Sequence, residues 1–146
     1  MQAMLPEDHE SFCDDLSVQH VRLFVTAQGG VPVPLYESCH VGASRQVMGP
    51  EARAMAERFR LAGVEPAGSE PPDHLPLEIE YLYMLLARGW DGADAAALQE
   101  AALFAGEVML PWCASVESAI AEHAPGGFFH KSATLLNAVL AAVSKI

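Results

Sequence analysis

The chain has few basic residues. Eight lysines and arginines stand against nineteen aspartates and glutamates among 146 residues, and the formal net charge is −11. Such a chain is repelled by the phosphates of nucleic acids and by anionic membrane surfaces. We therefore expect neither nucleic acid nor direct membrane insertion, and a basic peptide or protein is favoured as a partner. An acidic surface also serves solubility alone, so charge by itself does not identify that partner.

Cysteine is scarce as well: three residues lie at widely separated positions, and no Cys-x-x-Cys pair occurs. This argues against a disulfide framework and a zinc knuckle, and no His-Glu-x-x-His sequence offers another metal site. The N-terminal residues lack a basic start followed by an apolar core, and no run of about 18 apolar residues is present. We expect a cytoplasmic protein that neither carries its own export signal nor spans a membrane.

The alternation of apolar and polar residues that is typical of strands is almost absent, whereas helical spacing recurs along the chain. We predict an all-α fold of about five to seven helices, in a single domain over residues 1–146. Asp94 is predicted to cap one helix, Gly89 to end the helix before it, and Pro111 to break or kink the chain. The predicted helices cover residues 7–25, 50–62 with Gly63 as the cap, 75–88, 95–109, 112–123 and 128–143.

A long irregular connection separates the first two predicted helices, near residues 28–50. The first helix is expected to stop near Gly29 and Gly30, and the connection is rich in proline and glycine. A loop of this length inside a compact domain is usually functional or disordered.

The stretch from Glu70 to His74 reads Glu-Pro-Pro-Asp-His and combines a turn, a helix start and two titratable groups. Pro71 and Pro72 exclude helix before Asp73, because they fix φ and remove two backbone donors. Asp73 is then predicted to be the N-cap of the next helix, with its carboxylate accepting from an amide of the first turn. On this local interpretation, His74 is simply a solvated residue at the helix start.

Enzyme chemistry finds little support in the sequence. The glycines between residues 29 and 49 follow no strand and are not followed by Gly-Lys-Ser/Thr, which argues against nucleotide hydrolysis. A nucleophile and base could be drawn from Ser38 or Cys39 with His74 and Asp73, but no strand-to-helix elbow or oxyanion site accompanies them. We expect that the protein is not an enzyme.

Several short motifs follow one another along the chain. They are Arg22-Leu23-Phe24, Pro34-Leu35-Tyr36-Glu37-Ser38, Gly49-Pro50, the stretch from Glu70 to His74 with Glu78, Phe104, and Leu110-Pro111-Trp112. In this order they resemble the TorD-like redox-enzyme maturation chaperones, the group that also includes the DmsD and NarJ branches. The sequence departs from that family at His20 and His40, which stand where aromatic residues are usual. Family members also usually carry more helices at the N-terminus, so we expect a domain that lacks them.

The resemblance implies a helical, cytoplasmic, non-catalytic chaperone for a molybdopterin-containing oxidoreductase. It implies binding of the client catalytic subunit, through its twin-arginine leader or N-terminal segment, until cofactor insertion and export or assembly. No cofactor of the chain's own is implied, since the client carries the molybdopterin. The client-peptide-binding residues that the resemblance implies are Tyr36, Glu37, Ser38, Glu70, Pro71, Asp73, His74 and Glu78.

Within that set, Glu37 and Glu78 are expected to face client arginines, and Tyr36 to supply contact area. Asp73 with His74 would orient the connection before the helix, and a purely local role for Asp73 as a cap remains open. Missing N-terminal helices would expose apolar side chains, which predicts a homodimer, and exchange of helices between the two copies is one way to form it.

Two alternatives also remain open: a helical protein that binds a guanine nucleotide or a cofactor precursor, and an acidic helical interaction module unrelated to molybdoenzymes. The sequence also leaves open whether the leader or the body of the client is bound.

Overall fold

The computed structural model describes residues 9–26, 30–42 and 46–146, and over these residues the fold is all-α, as predicted. A π-helical turn, Val21–Val25, extends α1, a second one, Phe104–Met109, joins α4 to α5, and a short 3-10 turn, Glu37–Cys39, lies between α1 and α2. The predicted start of the first helix at residue 7 and the predicted stop residue Gly29 lie outside the described residues, whereas the end of the helical stretch at Val25 agrees with the prediction. The helices are α1 (His9–His20), α2 (Pro50–Ala62), α3 (Leu75–Asp91), α4 (Ala95–Leu103), α5 (Leu110–His123) and α6 (Phe128–Val143).

Local signals place several helix ends correctly. Pro50 lies in the first turn of α2, where its missing amide costs nothing, and Gly63 ends that helix with a φ of 70° that favours glycine. Asp94 caps α4, since its carboxylate accepts from the amides of Ala96 and Ala97 at 3.0 and 3.1 Å. The predicted helix ends at Gly63 and Asp94 are therefore confirmed.

The prediction that Gly89 ends the third helix is wrong. Helix α3 continues through Gly89 to Asp91, and Gly89 is buried within it. A Cβ atom at this position would lie only 2.3 Å from Cδ2 of Leu98 in α4. Glycine is therefore needed here for the close approach of the two helices, and Gly92 follows the last helical residue.

Pro111 does not break the helix. Residues 95–123 form one continuous helix, and the π-helical turn Phe104–Met109 immediately precedes Leu110 and Pro111. Proline removes one amide donor and crowds the preceding turn, and a π-helical turn is a common way for a helix to accommodate such an interruption. Pro111 is thus accommodated within a continuous helix, directly after a π-helical turn.

This continuous helix, Ala95–His123, is long and apolar enough to cross a membrane if length and composition alone are considered. Of its most apolar window, 39% is buried inside the protein. A buried core helix of a soluble protein meets the same criterion, so the finding says little about a membrane.

The core lies between α3 and the continuous helix, and α6 packs against α5. Three aromatic rings form a chain of edge-to-face contacts through it, with ring centroids 5.6 Å apart between Phe59 and Tyr81 and 5.0 Å apart between Tyr81 and Phe104. Trp112 at the start of α5 is fully buried. Packing of this core fixes α3 and α5 relative to each other, and both helices support the site described next.

Candidate functional site

The two segments that the sequence singles out, residues 34–38 and 70–74, lie side by side. Tyr36 and His74 form an isolated antiparallel β-bridge. The amide of Glu37 donates to the carbonyl of Asp73 at 3.0 Å, and the amide of Leu75 donates to the carbonyl of residue 35 at 2.9 Å. We call this pairing of residues 34–38 with residues 70–75 the motif bridge. It brings residues that are more than thirty positions apart in the sequence into one small surface.

The outer face of the motif bridge is built from Tyr36, His74 and Glu70. The Tyr36 and His74 rings stack with centroids 4.8 Å apart and planes inclined by 25°. The Tyr36 hydroxyl donates to Oε2 of Glu70 at 3.0 Å, and Nδ1 of His74 lies 3.9 Å from the same oxygen. Burial and then the bond to Glu70 raise the pKa of Tyr36. All three side chains remain at least partly exposed, so they are available to a ligand.

Asp73 lies on the inner face of the motif bridge and is fully buried. Its Oδ2 atom accepts from the backbone amide of Ser38 at 2.9 Å. The prediction that Asp73 caps α3 is therefore wrong: the residue before the helix is His74, and no side-chain hydrogen bond caps this end. The β-bridge holds Asp73 toward residues 34–38, so its carboxylate anchors that loop instead of the helix.

Glu78 is the second buried acid of the site, and it belongs to the protein interior. Its Oε2 atom accepts from Nε1 of Trp112 at 3.0 Å. Burial first, and then the negative charge of Glu37, raise the pKa of Glu78 to about 9. The pKa of Glu37 is raised as well, and burial is again the main cause. Two carboxyls that lie so close together cannot both ionise readily, so this pair retains a proton at neutral pH.

These positions change the roles expected for the predicted site residues. Ser38, Asp73 and Glu78 are 1%, 0% and 0% exposed, so their side chains do not reach the surface. The expectation that Glu78 faces client arginines is thus corrected, because its carboxyl is bonded to Trp112 inside the core. The burial of Ser38 also removes its hydroxyl as a nucleophile. Tyr36, Glu37, Glu70, Pro71 and His74 are the members of the predicted set that keep exposed surface.

Beside the motif bridge lies an apolar cavity of about 240 Å³, a feature that the sequence reasoning missed. Leu35 and Leu75, whose backbones are joined in the bridge, line one side of it. Its remaining walls come from the turn after α1 and from α5 and α6. The signal available in the sequence was a leucine within the first motif, Leu35, and a leucine directly after the second, Leu75. The other lining residues are His20, Phe24, Cys113, Val116, Ile120, Phe129, Ser132, Ala133 and Leu136.

Glu37 also lines a second cavity of about 230 Å³, together with Glu51 and Arg58. Arg58 is already engaged there: its guanidinium donates to Glu100 at 2.5 Å and lies 5.2 Å from the centroid of the Phe104 ring. Glu37 therefore connects the buried carboxyl pair to a cavity that carries two acidic side chains.

The two histidines at which the sequence departs from the usual aromatic pattern both take part in ring contacts. His40 lies 5.7 Å from the Trp112 ring, and its Nε2 atom is 2.6 Å from the carbonyl oxygen of Pro34. His20 lies 5.5 Å from Phe24 at the apolar cavity. Each imidazole thus occupies an aromatic-like position, and His40 ties the loop of residues 34–40 to α5.

Comparison with protein families identifies the class to which this fold and site belong. The sequence model of the family described as nitrate reductase delta subunit matches residues 1–117, and the chain belongs to that family. It is a family of molybdoenzyme maturation chaperones of the NarJ and TorD type, which are not catalytic. Neither the curated proteins nor the solved structures that were compared contain a match to this chain.

The buried carboxyl pair predicts a specific dependence of stability on pH. The pKa of Glu78 is raised in the folded state, so folding takes up a proton between about pH 4.3, the unfolded value, and pH 9. Stability is therefore highest below that window and decreases as the pH rises through it, by up to about 1.4 kcal/mol per pH unit for one proton. In Glu78→Gln this slope should be reduced.

The measurement is urea denaturation at pH values from 5 to 9, and Glu65→Gln is the matched control because Glu65 is an exposed glutamate. We expect the free energy of unfolding of Glu78→Gln to rise relative to wild type as the pH increases, and that of Glu65→Gln to follow wild type. Parallel curves for all three proteins would show that Glu78 is not a buried, protonated carboxyl.

Proposed function

We propose that the protein is a system-specific chaperone for the catalytic subunit of a molybdopterin-containing oxidoreductase. It binds the twin-arginine leader or the N-terminal segment of that subunit, and it acts in the cytoplasm, before cofactor insertion and export or assembly. It needs no cofactor of its own, since the client carries the molybdopterin. Membership of a molybdoenzyme chaperone family supports the class. The single observation that carries the site is the motif bridge, which joins both sequence motifs at the surface.

The accessible acids of the site suit a basic client segment. Glu70 is exposed and presents a carboxylate beside Tyr36, and the half-buried Glu37 and Glu51 line the second cavity. Guanidinium groups pair with carboxylates through two parallel hydrogen bonds, which fixes geometry as well as adding energy. The aromatic ring of Tyr36 adds apolar contact area with little loss of side-chain freedom.

The apolar cavity suits the apolar part of the same segment. It adjoins Leu35 and Leu75, so a client strand or helix that crosses the motif bridge reaches both the acids and the cavity. A volume of about 240 Å³ accommodates one or two apolar side chains and no more. In this arrangement the buried residues Ser38, Asp73 and Glu78 support the surface from beneath without touching the client.

Two pairs of variants test this proposal in a fluorescence titration with a synthetic N-terminal segment, including its two arginines, of a molybdoenzyme catalytic subunit from the same host. Glu70→Lys places repulsion at the acidic surface, and Glu65→Lys makes the same charge change at an exposed position of the same connection. Ser132→Phe fills the mouth of the apolar cavity, and Ser118→Phe is its control on α5.

We expect Glu70→Lys and Ser132→Phe each to weaken binding about tenfold or more, because about 1.4 kcal/mol of lost interaction corresponds to a factor of ten. The two controls should bind like wild type. Equal affinities for all five proteins would contradict the proposed site, and absence of binding to the wild-type protein would contradict the proposed function.

A further inference from the structure

Positive charge is distributed unevenly along this acidic chain. Both of its lysines, Lys131 and Lys145, lie in residues 123–146, and that segment contains no aspartate or glutamate. The six arginines and all nineteen acidic residues lie in residues 1–122, so the two parts carry −13 and +2, which add to the net −11. Helix α6 therefore lies in a small basic region of a strongly acidic protein, and it lies beyond the residues matched by the family model.

Helix α6 also presents an exposed apolar stripe. Phe128, Leu135 and Val139 are separated by seven and four residues, so they lie on one face of the helix, and they are 51%, 66% and 48% exposed. Lys131 is exposed on α6, and Lys145 follows its end. Among the described residues, neither lysine forms an ion pair with a carboxylate. This face thus combines exposed apolar side chains with lysines that have no carboxylate partner among the described residues.

Helix α3 carries the complementary surface. Ile79, Tyr83 and Trp90 lie on one exposed face of this helix, at 40%, 72% and 62% exposure. Glu80 and Asp91 are exposed beside this stripe and form no ion pair within the part of the chain that the structure describes. Patches of this kind, with two large aromatic side chains in the open, usually mark interaction sites.

We propose that a second copy of this chain covers both surfaces, with α6 of each protomer lying on α3 of the other. Two such contacts related by a twofold axis close the assembly as a dimer. In each contact, the apolar stripes face each other and the lysines of one protomer meet Glu80 and Asp91 of its partner. The same contact is made twice, so the exposed aromatic area of both helices is buried.

Charge also disfavours the other occupants of the α6 face. An anionic membrane would attract two lysines but repel the remainder of the chain, which carries −13. Two α6 helices packed antiparallel on each other would bring Lys131 of one close to Lys145 of the other, and no acidic residue of α6 would compensate. The exposed face of α3 has apolar side chains and acidic residues beside them, so it complements the apolar stripe and the lysines of α6. This inference does not depend on the identity of any client.

A charge-swap experiment tests the arrangement by sedimentation equilibrium of the full chain. Variant one carries Lys131→Glu and Lys145→Glu, and variant two carries Glu80→Lys and Asp91→Lys. We expect the wild type to dimerise at micromolar concentration, and each variant alone to dimerise at least tenfold more weakly, because each contact then opposes like charges. Mixing the two variants restores complementary charges in both contacts, so a heterodimer should form with affinity close to that of wild type at low salt.

Matched controls separate this interface from net charge and from loss of folding. Asp15→Lys with Glu65→Lys, and Arg22→Glu with Arg53→Glu, make the same changes in total charge at other exposed positions, and both should dimerise like wild type. Leu135→Ser removes apolar area from the stripe and should weaken the dimer. Its control is Leu61→Ser on α2, where the leucine is 71% exposed. Circular dichroism verifies that each variant is helical.

Three results would overturn the proposal. The first is a wild-type protein that stays monomeric at about 100 μM. The second is a mixture of the two charge-swap variants that dimerises no better than either alone. The third is a concentration-dependent series of larger species, because a contact that does not close on itself produces open chains and not a dimer.

Discussion

Asp73→Ala is expected to lower the free energy of unfolding by about 2–3 kcal/mol, because it leaves the buried amide of Ser38 without its acceptor. The negative charge of Asp73 helps to raise the pKa values of Glu37 and Glu78. Because its removal relieves this repulsion, it offsets part of the lost stability. Asp73→Asn retains an acceptor oxygen at nearly the same place, so we expect less than about 1.5 kcal/mol from that change.

Asp94→Ala is the control for this experiment, because Asp94 is a true helix cap and its loss should cost about 1 kcal/mol. Urea denaturation of the four proteins gives the comparison. If Asp73→Ala costs no more than Asp94→Ala, and Asp73→Asn costs as much as Asp73→Ala, then the side chain is not the loop anchor that its contact with Ser38 indicates.

Trp112→Ala is expected to be still more destabilising, by about 4–5 kcal/mol. Removal of a fully buried tryptophan leaves a large cavity between α3, α5 and the loop of residues 34–40, and truncations of this size cost about 3–5 kcal/mol. The change also removes the Nε1–H donor from the buried Glu78 carboxyl. Trp112→Phe retains most of the apolar volume and loses the hydrogen-bond donor, so we expect a smaller cost of about 1–3 kcal/mol.

A double-mutant cycle separates the hydrogen bond from packing. At pH 9, where the Glu78 carboxyl is about half ionised, Trp112→Phe should cost about 1 kcal/mol less in the Glu78→Gln background than in wild type, because a neutral amide is easier to leave unpaired than a carboxylate. Trp90→Phe is the control: Trp90 is exposed in the single chain, and at a protein concentration too low for the proposed dimer its replacement should change stability by less than about 0.5 kcal/mol. Additive costs for Trp112→Phe and Glu78→Gln would mean that the two side chains do not act together.

The helices could be predicted from sequence because apolar spacing and local caps decide them. Asp94 and Gly63 act within their own turns, and both predictions were confirmed. Asp73 is a cap by the same local rule, but the β-bridge to Tyr36, which lies far away in the sequence, directs its carboxylate elsewhere. The prediction for Gly89 is wrong for a related reason, since the role of this glycine depends on the approach of a second helix.

The burial of Glu78 could have been found in the sequence. Tyr81, Leu82 and Leu85 follow it at three, four and seven residues, and all are buried, so Glu78 begins the apolar face of α3. Its partner Trp112 lies on another helix, however, and no local pattern connects them. The order of the two motifs in the sequence was enough to combine them in one predicted site. Only the packing of the chain shows which of their residues are exposed and which lie buried beneath the surface.

The most direct test of the proposed role is the capture of partners in the native host, with the tagged wild-type protein, Glu70→Lys and Glu65→Lys compared by mass spectrometry. We predict that wild type and Glu65→Lys enrich the catalytic subunit of a molybdopterin-containing oxidoreductase over a tag-only control, and that Glu70→Lys enriches it at least severalfold less. Recovery of no molybdoenzyme subunit with folded wild-type protein would contradict the chaperone function. Equal recovery with all three proteins would contradict the assignment of the client site to the motif bridge.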